Sequence, residues 1–298
     1  MTIAIIAEYN PFHNGHIFQL EYAKRTWPDA KIIIIMSGRY VQRGELAVAS
    51  FEERASMAKK YGADEVYELP FEFATQAAHI FARGAVLTAV EHNADILLFG
   101  SESNNVDNLL LIARTIKENK SIYNKTLKKY LKQGFSFPKS AAEALSELSG
   151  QNVTLPNDIL GLEYIKTIVE ENLSIKPHSI KRTVDFHSDE TNNEFASASF
   201  IRKEIMLGND ISQWTPMKFE NTPERIEDHY KEFQRIVNES TPEEIAECPL
   251  ISEGMENLFK KHIDAETYEE FVDRTNSRRY TSSRIKRVML YVLLQIKK

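Results

Sequence analysis

The 298-residue chain is 42% hydrophobic and 27% charged, the balance of an ordinary globular protein with room for one large domain plus a smaller appendage. Its formal charge of −6 argues against a generally basic nucleic-acid coat, and a single cysteine, Cys248, excludes an internal disulfide and any cysteine-built zinc cluster. No apolar run approaches the roughly 20 residues that span a bilayer, and an apolar start with no basic leader predicts no signal peptide, so the cytoplasm is the default compartment.

In chain order, residues 3–7 and 31–36 are short isoleucine-rich runs, the signature of strands buried on both faces of a parallel sheet. Residues 64–69 and 94–99 continue the series, each ending in a polar or glycine-containing turn. Helical patterns lie between them at 15–26, 51–61 and 75–92, the second opened by Ser50 and Glu53 as a capping box. A helical insertion is expected over about 108–169, interrupted at Gly134 and Pro138. A fifth strand at 174–182 then returns to the sheet, followed by a polar loop at 185–194. Past Gly208 the chain is polar and helix-patterned, punctuated by Pro216, Pro223, Pro242 and Pro249, and it ends in an amphipathic basic helix over 282–298. The pattern predicts an α/β fold: a Rossmann-like domain with a parallel sheet over 1–210, then a smaller helical domain over 211–298. Ligands of such a sheet bind where the strand C-termini open at the switch point.

The chemistry concentrates in Glu8-Tyr9-Asn10-Pro11-Phe12-His13-Asn14-Gly15-His16, between the first strand and the first helix. Pro11 stops the strand, Gly15 lets the backbone approach a ligand, and His16 falls in the first helical turn, where free N–H groups and the dipole favour anions. Two imidazoles three apart can both donate to a triphosphate. Attack on an α-phosphorus builds charge on its oxygens and on departing pyrophosphate, and fixed donors aimed there lower the barrier. His13 and His16 are therefore the candidate catalytic residues. With no HExxH and no third ligand at a telling spacing, a protein-built metal site is not expected. A second helix start, Ala196-Ser197-Ala198-Ser199-Phe200-Ile201-Arg202, offers Ser199 and Arg202 as an opposing phosphate clamp.

Two basic clusters stand out on the acidic chain. Residues 274–298 hold eight Lys or Arg and no acid, and residues 114–139 carry Lys117, Lys120, Lys125, Lys128, Lys129 and Lys132 against the single acid Glu118. Alone, either is the pattern of a solvated helix face. On an acidic body they also suit a localised polyanion site.

His-x-Gly-His followed late in the domain by Ser-x-x-Ile-Arg resembles the nucleotidyltransferase superfamily. The wider strings EYNPFHNGH (8–16), MSGRYVQRGE (36–45), FGSE (99–102), PNDILG (156–161), SIKR (179–182) and RRYTSSRIKR (278–287) resemble the bacterial tRNA(Met) cytidine acetate ligase family, in order along essentially the whole chain. Arg39-Tyr40, Leu46 and Asp158 depart from that family's usual residues. The resemblance implies that ATP activates acetate to acetyl-adenylate, and that the acetyl group passes to N4 of the wobble cytidine of elongator tRNA(Met). It implies an ATP-binding segment of Ile6, Ala7, Glu8, Tyr9, Asn10, Pro11, Phe12, His13, Asn14, Gly15, His16, Ile17, Phe18 and Gln19, completed by Gly100, Asn157 and Arg182. Gly100 would let adenosine lie against backbone, Asn157 can pair with a base or ribose edge or cap the helix it precedes, and Arg182 can reach phosphate. Contacts to tRNA are expected from Arg278, Arg279, Arg284, Lys286 and Arg287 at the end of the chain, and from Lys128 and Lys129. ATP is a substrate, Mg²⁺ its expected companion, and no DNA or membrane partner is implied. A small-molecule adenylyltransferase and a non-catalytic tRNA-binding module remain alternatives at this point.

Overall fold

The computed structural model describes residues 1–182 and 194–298, so the polar loop expected at 185–194 lies, apart from Glu194, outside the described residues. The first half alternates strand and helix: β1 (Thr2–Ala7), α1 (Asn14–Thr26), β2 (Lys31–Ser37), α2 (Phe51–Lys60), β3 (Glu65–Leu69), α3 (Phe71–Ala74), α4 (Ala78–Glu91) and β4 (Ile96–Ser101). Four helices follow, α5 (Val106–Glu118), α6 (Lys120–Lys132), α7 (Phe137–Ser149) and α8 (Pro156–Glu170), before β5 (Lys176–Lys181) and α9 (Ala198–Leu207). The five strands are all parallel, in the order β3-β2-β1-β4-β5. The order reverses between β1 and β4, and a crevice opens there at the strand C-termini.

The isoleucine runs explain both sheet faces. Ile3, Ile5, Ile32, Ile34 and Met36 pack on one side with Leu20 and Ala23 of α1 and Ala55 and Ala58 of α2. Ala4, Ile33, Ile35 and Leu97 pack on the other with residues of α4, α5 and α8. Side chains alternate along each strand, so only a continuous apolar run can serve helices on both faces. Burying one such isoleucine contributes about 1.5–3 kcal/mol. Gly161 lets α8 close on β4: a Cβ there would stand 2.6 Å from the Phe99 ring.

Two expected boundaries move. The helix expected over 75–92 starts at Ala78, because Phe71–Ala74 forms its own turn and the Thr75 hydroxyl bonds back to the Phe71 carbonyl at 2.9 Å. Gly134, at φ 81°, does end a helix, but Pro138 interrupts nothing. It sits in the first turn of α7, where a missing N–H costs no intrahelical bond.

After α9 come a 3₁₀ turn (Ile226–His229) and α10 (Tyr230–Glu239), α11 (Pro242–Ala246), α12 (Met255–His262), α13 (Tyr268–Thr275) and α14 (Ser282–Leu293). Their shared core is built round Phe233, Phe259 and Phe271, whose ring centroids lie 5.1 to 5.8 Å apart. α14 returns to the sheet domain: the Thr75 and Tyr291 hydroxyls are hydrogen-bonded at 3.1 Å, and Lys286 pairs with Glu45 at 2.8 Å. Among the described residues no helix is long and apolar enough to cross a membrane.

Candidate active site

A cavity of about 240 Å³ opens at the crevice. His13 is the N-cap of α1, and its Nδ1 accepts the Gly15 N–H at 3.1 Å. His16, at the third helical position, uses its own Nδ1 to accept the His13 N–H, also at 3.1 Å. This is a capping box in which imidazoles replace the usual hydroxyl and carboxylate. The capping bonds fix the tautomer. An Nδ1 that accepts carries no proton, so each ring keeps its N–H on Nε2. The rings stack with centroids 3.7 Å apart, and both line the cavity.

The surroundings keep the pair uncharged. Burial, then the nearby Arg182 and Arg202 guanidiniums, push His13 down from the ordinary 6.5 to about 3. Burial, His13 and Arg182 push His16 well below its usual range as well. A neutral imidazole still donates one hydrogen bond to a phosphate oxygen. Arg182 donates to the Asn157 Oδ1 at 3.3 Å, while Arg202 donates to the Asn10 carbonyl at 2.7 Å and to the Ser199 hydroxyl at 3.3 Å.

Most of the expected ATP-site residues line this one cavity: Ile6 to Asn10, His13, Gly15, His16, Phe18, Gln19, Gly100, Asn157, Arg182, Ser199 and Arg202. Pro11, Phe12, Asn14 and Ile17 do not. Phe12 is fully buried beneath the motif, stacked on Tyr61 at 5.6 Å, and Ile17 packs in the same core. The Asn14 amide donates to the Glu194 and Gln213 carbonyls, tying α1 to the chain that flanks α9. Asn157 is no cap. Leu155 holds that position, and the Asn157 amide donates to the Glu102 carboxylate at 2.6 Å. Its neighbour Asp158 accepts from the Ser101 hydroxyl and from the Glu102 and Ser103 N–H groups, binding α8 to the end of β4.

The string MSGRYVQRGE covers most of the loop between β2 and α2, and although no site residue is expected from it, the loop lines the cavity. Val41, Gln42, Arg43 and Glu45 form a wall of the cavity. Backbone groups hold that wall: Glu8 accepts the Gln42 N–H and Asn10 accepts the Val48 N–H, each at 2.8 Å. Behind it lies Arg54, fully buried, whose guanidinium donates to the carbonyls of Glu8, Ser37, Gly38, Ala49 and Ser50. Burial lowers Arg54 to about 10, still charged at neutral pH. Two signals point there: the string itself, and its place after the C-terminal end of a central strand, where a parallel sheet places its ligands.

The family described as HIGH Nucleotidyl Transferase matches residues 1–298. The Mycoplasma mobile protein named tRNA(Met) cytidine acetate ligase is 54% identical over 299 residues, covering 100% of both chains. The Acetivibrio thermocellus protein of that name is 35% identical, covering 99% of this chain and 77% of its own. The chain belongs to the HIGH nucleotidyltransferase family, alongside the proteins named tRNA(Met) cytidine acetate ligase. A crystal structure of Thermotoga maritima TmcAL shares its fold at TM-score 0.90 and 31% identity, over 100% of this chain and 76% of that one. A second TmcAL structure, bound with alpha-thio ATP, matches at TM-score 0.88 and 31% identity, over 100% and 75%.

In this nucleotidyltransferase the expected tRNA-contact residues fall into two groups. Lys128 is exposed on α6, and Lys129 beside it pairs with Glu147 at 2.9 Å. Arg278 lies 3.7 Å over the Phe135 ring, Arg279 pairs with Glu253 at 3.5 Å, and Arg284 donates to Ser252 at 2.7 Å. Lys286 and Arg287 face inward instead. Lys286 pairs with Glu45, Arg287 donates to the Gln42 carbonyl at 3.5 Å, and burial holds Arg287 down at about 10. Among the described residues no cluster of three or more His, Cys, Asp or Glu gathers to hold a metal.

Proposed function

We propose that the crevice binds ATP with its phosphates between the imidazole pair and the Arg182–Arg202 side, and that it activates acetate for transfer to N4 of the wobble cytidine of elongator tRNA(Met). The observation that carries this reading is the capping box itself. Two backbone-tethered imidazoles, each with Nε2–H free of the cap, form a preorganised donor pair at a helix N-terminus in the switch-point crevice. The relatives named tRNA(Met) cytidine acetate ligase and the TmcAL complex with alpha-thio ATP support the substrates.

An acetate oxygen attacks the α-phosphorus, the bond to the bridging oxygen breaks, and pyrophosphate leaves towards His13, His16 and Arg202. Acetyl-adenylate remains. The cytidine N4 then attacks the acetyl carbon, N4 loses a proton, and AMP departs carrying one oxygen of the original acetate. Acetate is small and offers little surface, so its apparent affinity is weak beside that of ATP. Mg²⁺ would enter with the triphosphate, held chiefly by phosphate oxygens and water. Glu8 and Glu45 are the carboxylates among the described cavity residues. Glu45 is committed to Lys286, and burial raises Glu8 above the usual range, so the pair does not build a cation site.

The test is label transfer. With ¹⁸O-labelled acetate, ATP and tRNA, label appears in AMP as N4-acetylcytidine forms. Unlabelled AMP, acetylation sustained by acetyl-coenzyme A alone, or a dinucleotide product formed without acetate would each overturn the reading.

A further inference from the structure

A second, larger cavity of about 440 Å³ lies between the inserted helices and the C-terminal ones. Its floor is apolar, with Phe137, Leu145, Ile159 and Leu162 among its walls, and its rim is cationic: Arg279, Arg284, Arg287 and Lys166 face it against Glu163, the single carboxylate among the described lining residues. Lys166 is satisfied by Glu163 at 2.8 Å. The arginines are not neutralised in the same way. Arg279 has only the exposed Glu253 at 3.5 Å, Arg284 bonds the neutral Ser252, and no carboxylate pairs with Arg287 among the described residues. The aromatic wall is reachable from solvent. Phe137 is 37% and Ile159 38% exposed, and His79 lies against the Phe137 ring with centroids 4.6 Å apart.

The two cavities share a wall. Asn157, Leu160 and Tyr164 of α8 line the ATP crevice, while Ile159, Leu162, Glu163 and Lys166 line the second cavity. These are opposite stripes of one helix, so about one helix diameter, roughly 10 Å, separates the sites. Arg287 joins them on another side: it lines the second cavity and donates to the Gln42 carbonyl in the wall of the first. An apolar, aromatic floor under a rim with more guanidiniums than facing carboxylates suits a group that is flat and apolar at one end and anionic at the other.

We propose that this cavity receives an unpaired nucleobase of the RNA substrate, from a nucleotide flanking the target cytidine, with the base against Phe137 and its phosphate on the Arg279–Arg284 rim. A cytidine that presents N4 to an acyl-adenylate must leave its stack, and a displaced neighbour is held most cheaply on an aromatic face beside guanidiniums. The proposal rests on the reading that the substrate is tRNA.

The experiment uses the full chain with Phe137→Ala and Phe137→Tyr, and reads acetyl-adenylate formation without RNA, tRNA affinity and N4-acetylation. The RNA probes are the intact tRNA(Met) transcript and versions made abasic at one nucleotide flanking the wobble cytidine. Phe137→Ala should weaken tRNA binding about tenfold, leave RNA-free adenylation unchanged, and recover affinity as Phe137→Tyr. One abasic transcript should bind the native chain as weakly as Phe137→Ala binds intact tRNA, with no further loss when the two are combined. Unchanged affinity of Phe137→Ala, or losses that add at every abasic position, would overturn the proposal while leaving the acetylation reading standing. If the native chain forms acetyl-adenylate but neither binds nor acetylates tRNA, the tRNA reading itself fails and the cavity proposal falls with it.

Discussion

The switch-point crevice and the outer basic face both concentrate nitrogen donors, but they hold them differently. In the crevice, the backbone fixes the donors. His13 and His16 accept from main-chain N–H groups, and Arg54 and Arg202 donate to main-chain carbonyls. On the outer face, Lys129 and Arg279 sit in ion pairs with exposed carboxylates, Glu147 and Glu253. Exposed pairs of that kind contribute at most about 1 kcal/mol and rearrange freely. Preorganised donors suit a transition state, whose charge appears at one point. Loose ones suit a polyanion that must slide into register.

The sharpest way to break this contrast is Arg54→Met. Five carbonyls would lose a buried donor, and we expect a stability loss of about 3 kcal/mol or more, read as the denaturation midpoint. A midpoint shift within about 0.5 kcal/mol of the native chain would mean the cleft wall does not depend on that guanidinium.

His16→Glu comes next. A glutamate at this position can still accept the His13 N–H and keep the capping box, but its carboxylate offers no donor in place of the Nε2–H. Pyrophosphate exchange should fall at least tenfold, about 1.4 kcal/mol, with little change in thermal midpoint. Near-native exchange would remove the imidazole pair from the chemistry.

How far such contrasts are legible in the sequence depends on the range of the interactions. The strands can be read from their isoleucine runs, and the histidine pair from its place before a helix, because both signals are local. Arg54 cannot. On α2 it looks like one more charge on a polar surface, and its carbonyl partners lie as far as 46 positions away. Lys286 and Arg287 group with the outer cations in sequence for the same reason: the string RRYTSSRIKR gives their charge but not the face of α14 they occupy. Asn157 has the look of a cap because it lies at a helix start, and the geometry instead gives its side chain to Glu102.

The inward pair offers a gentler test. Lys286→Met should reduce adenylation several-fold even without tRNA, because Glu45, now held below its usual range against burial by Lys286, would lose its counter-charge. Lys128→Ala with Lys129→Ala should leave adenylation unchanged and flatten the salt dependence of tRNA binding, by about 0.7–0.9 in log–log slope for each phosphate no longer neutralised. Equal effects of the two changes on RNA-free adenylation would erase the distinction between inner and outer cations.

Acidity gives the smallest effect near neutral pH. Between about 3 and 6.5 the unfolded chain binds a proton at His13 that the native state refuses, so stability is fully present above 6.5 and falls as pH drops through that window. The slope from this group approaches about 1.4 kcal/mol per pH unit. His13→Asn, which retains a capping oxygen, should shallow the decline of the thermal midpoint between pH 6.5 and about 5. An unchanged slope would place the acid sensitivity elsewhere.

Gly44 has one further consequence. Its φ of 78° and the 2.8 Å that a Cβ would have to the Arg287 backbone fit the cleft loop flush against α14, while the Lys286–Glu45 bond beside it joins residues 241 positions apart. A bond of that span closes late, after the loop entropy between its ends has been spent. On the ribosome the sheet and the histidine cap can form while the chain is still emerging. The cleft wall must wait for α14, so a nascent chain halted before residue 282 would present a folded sheet with an unfinished crevice.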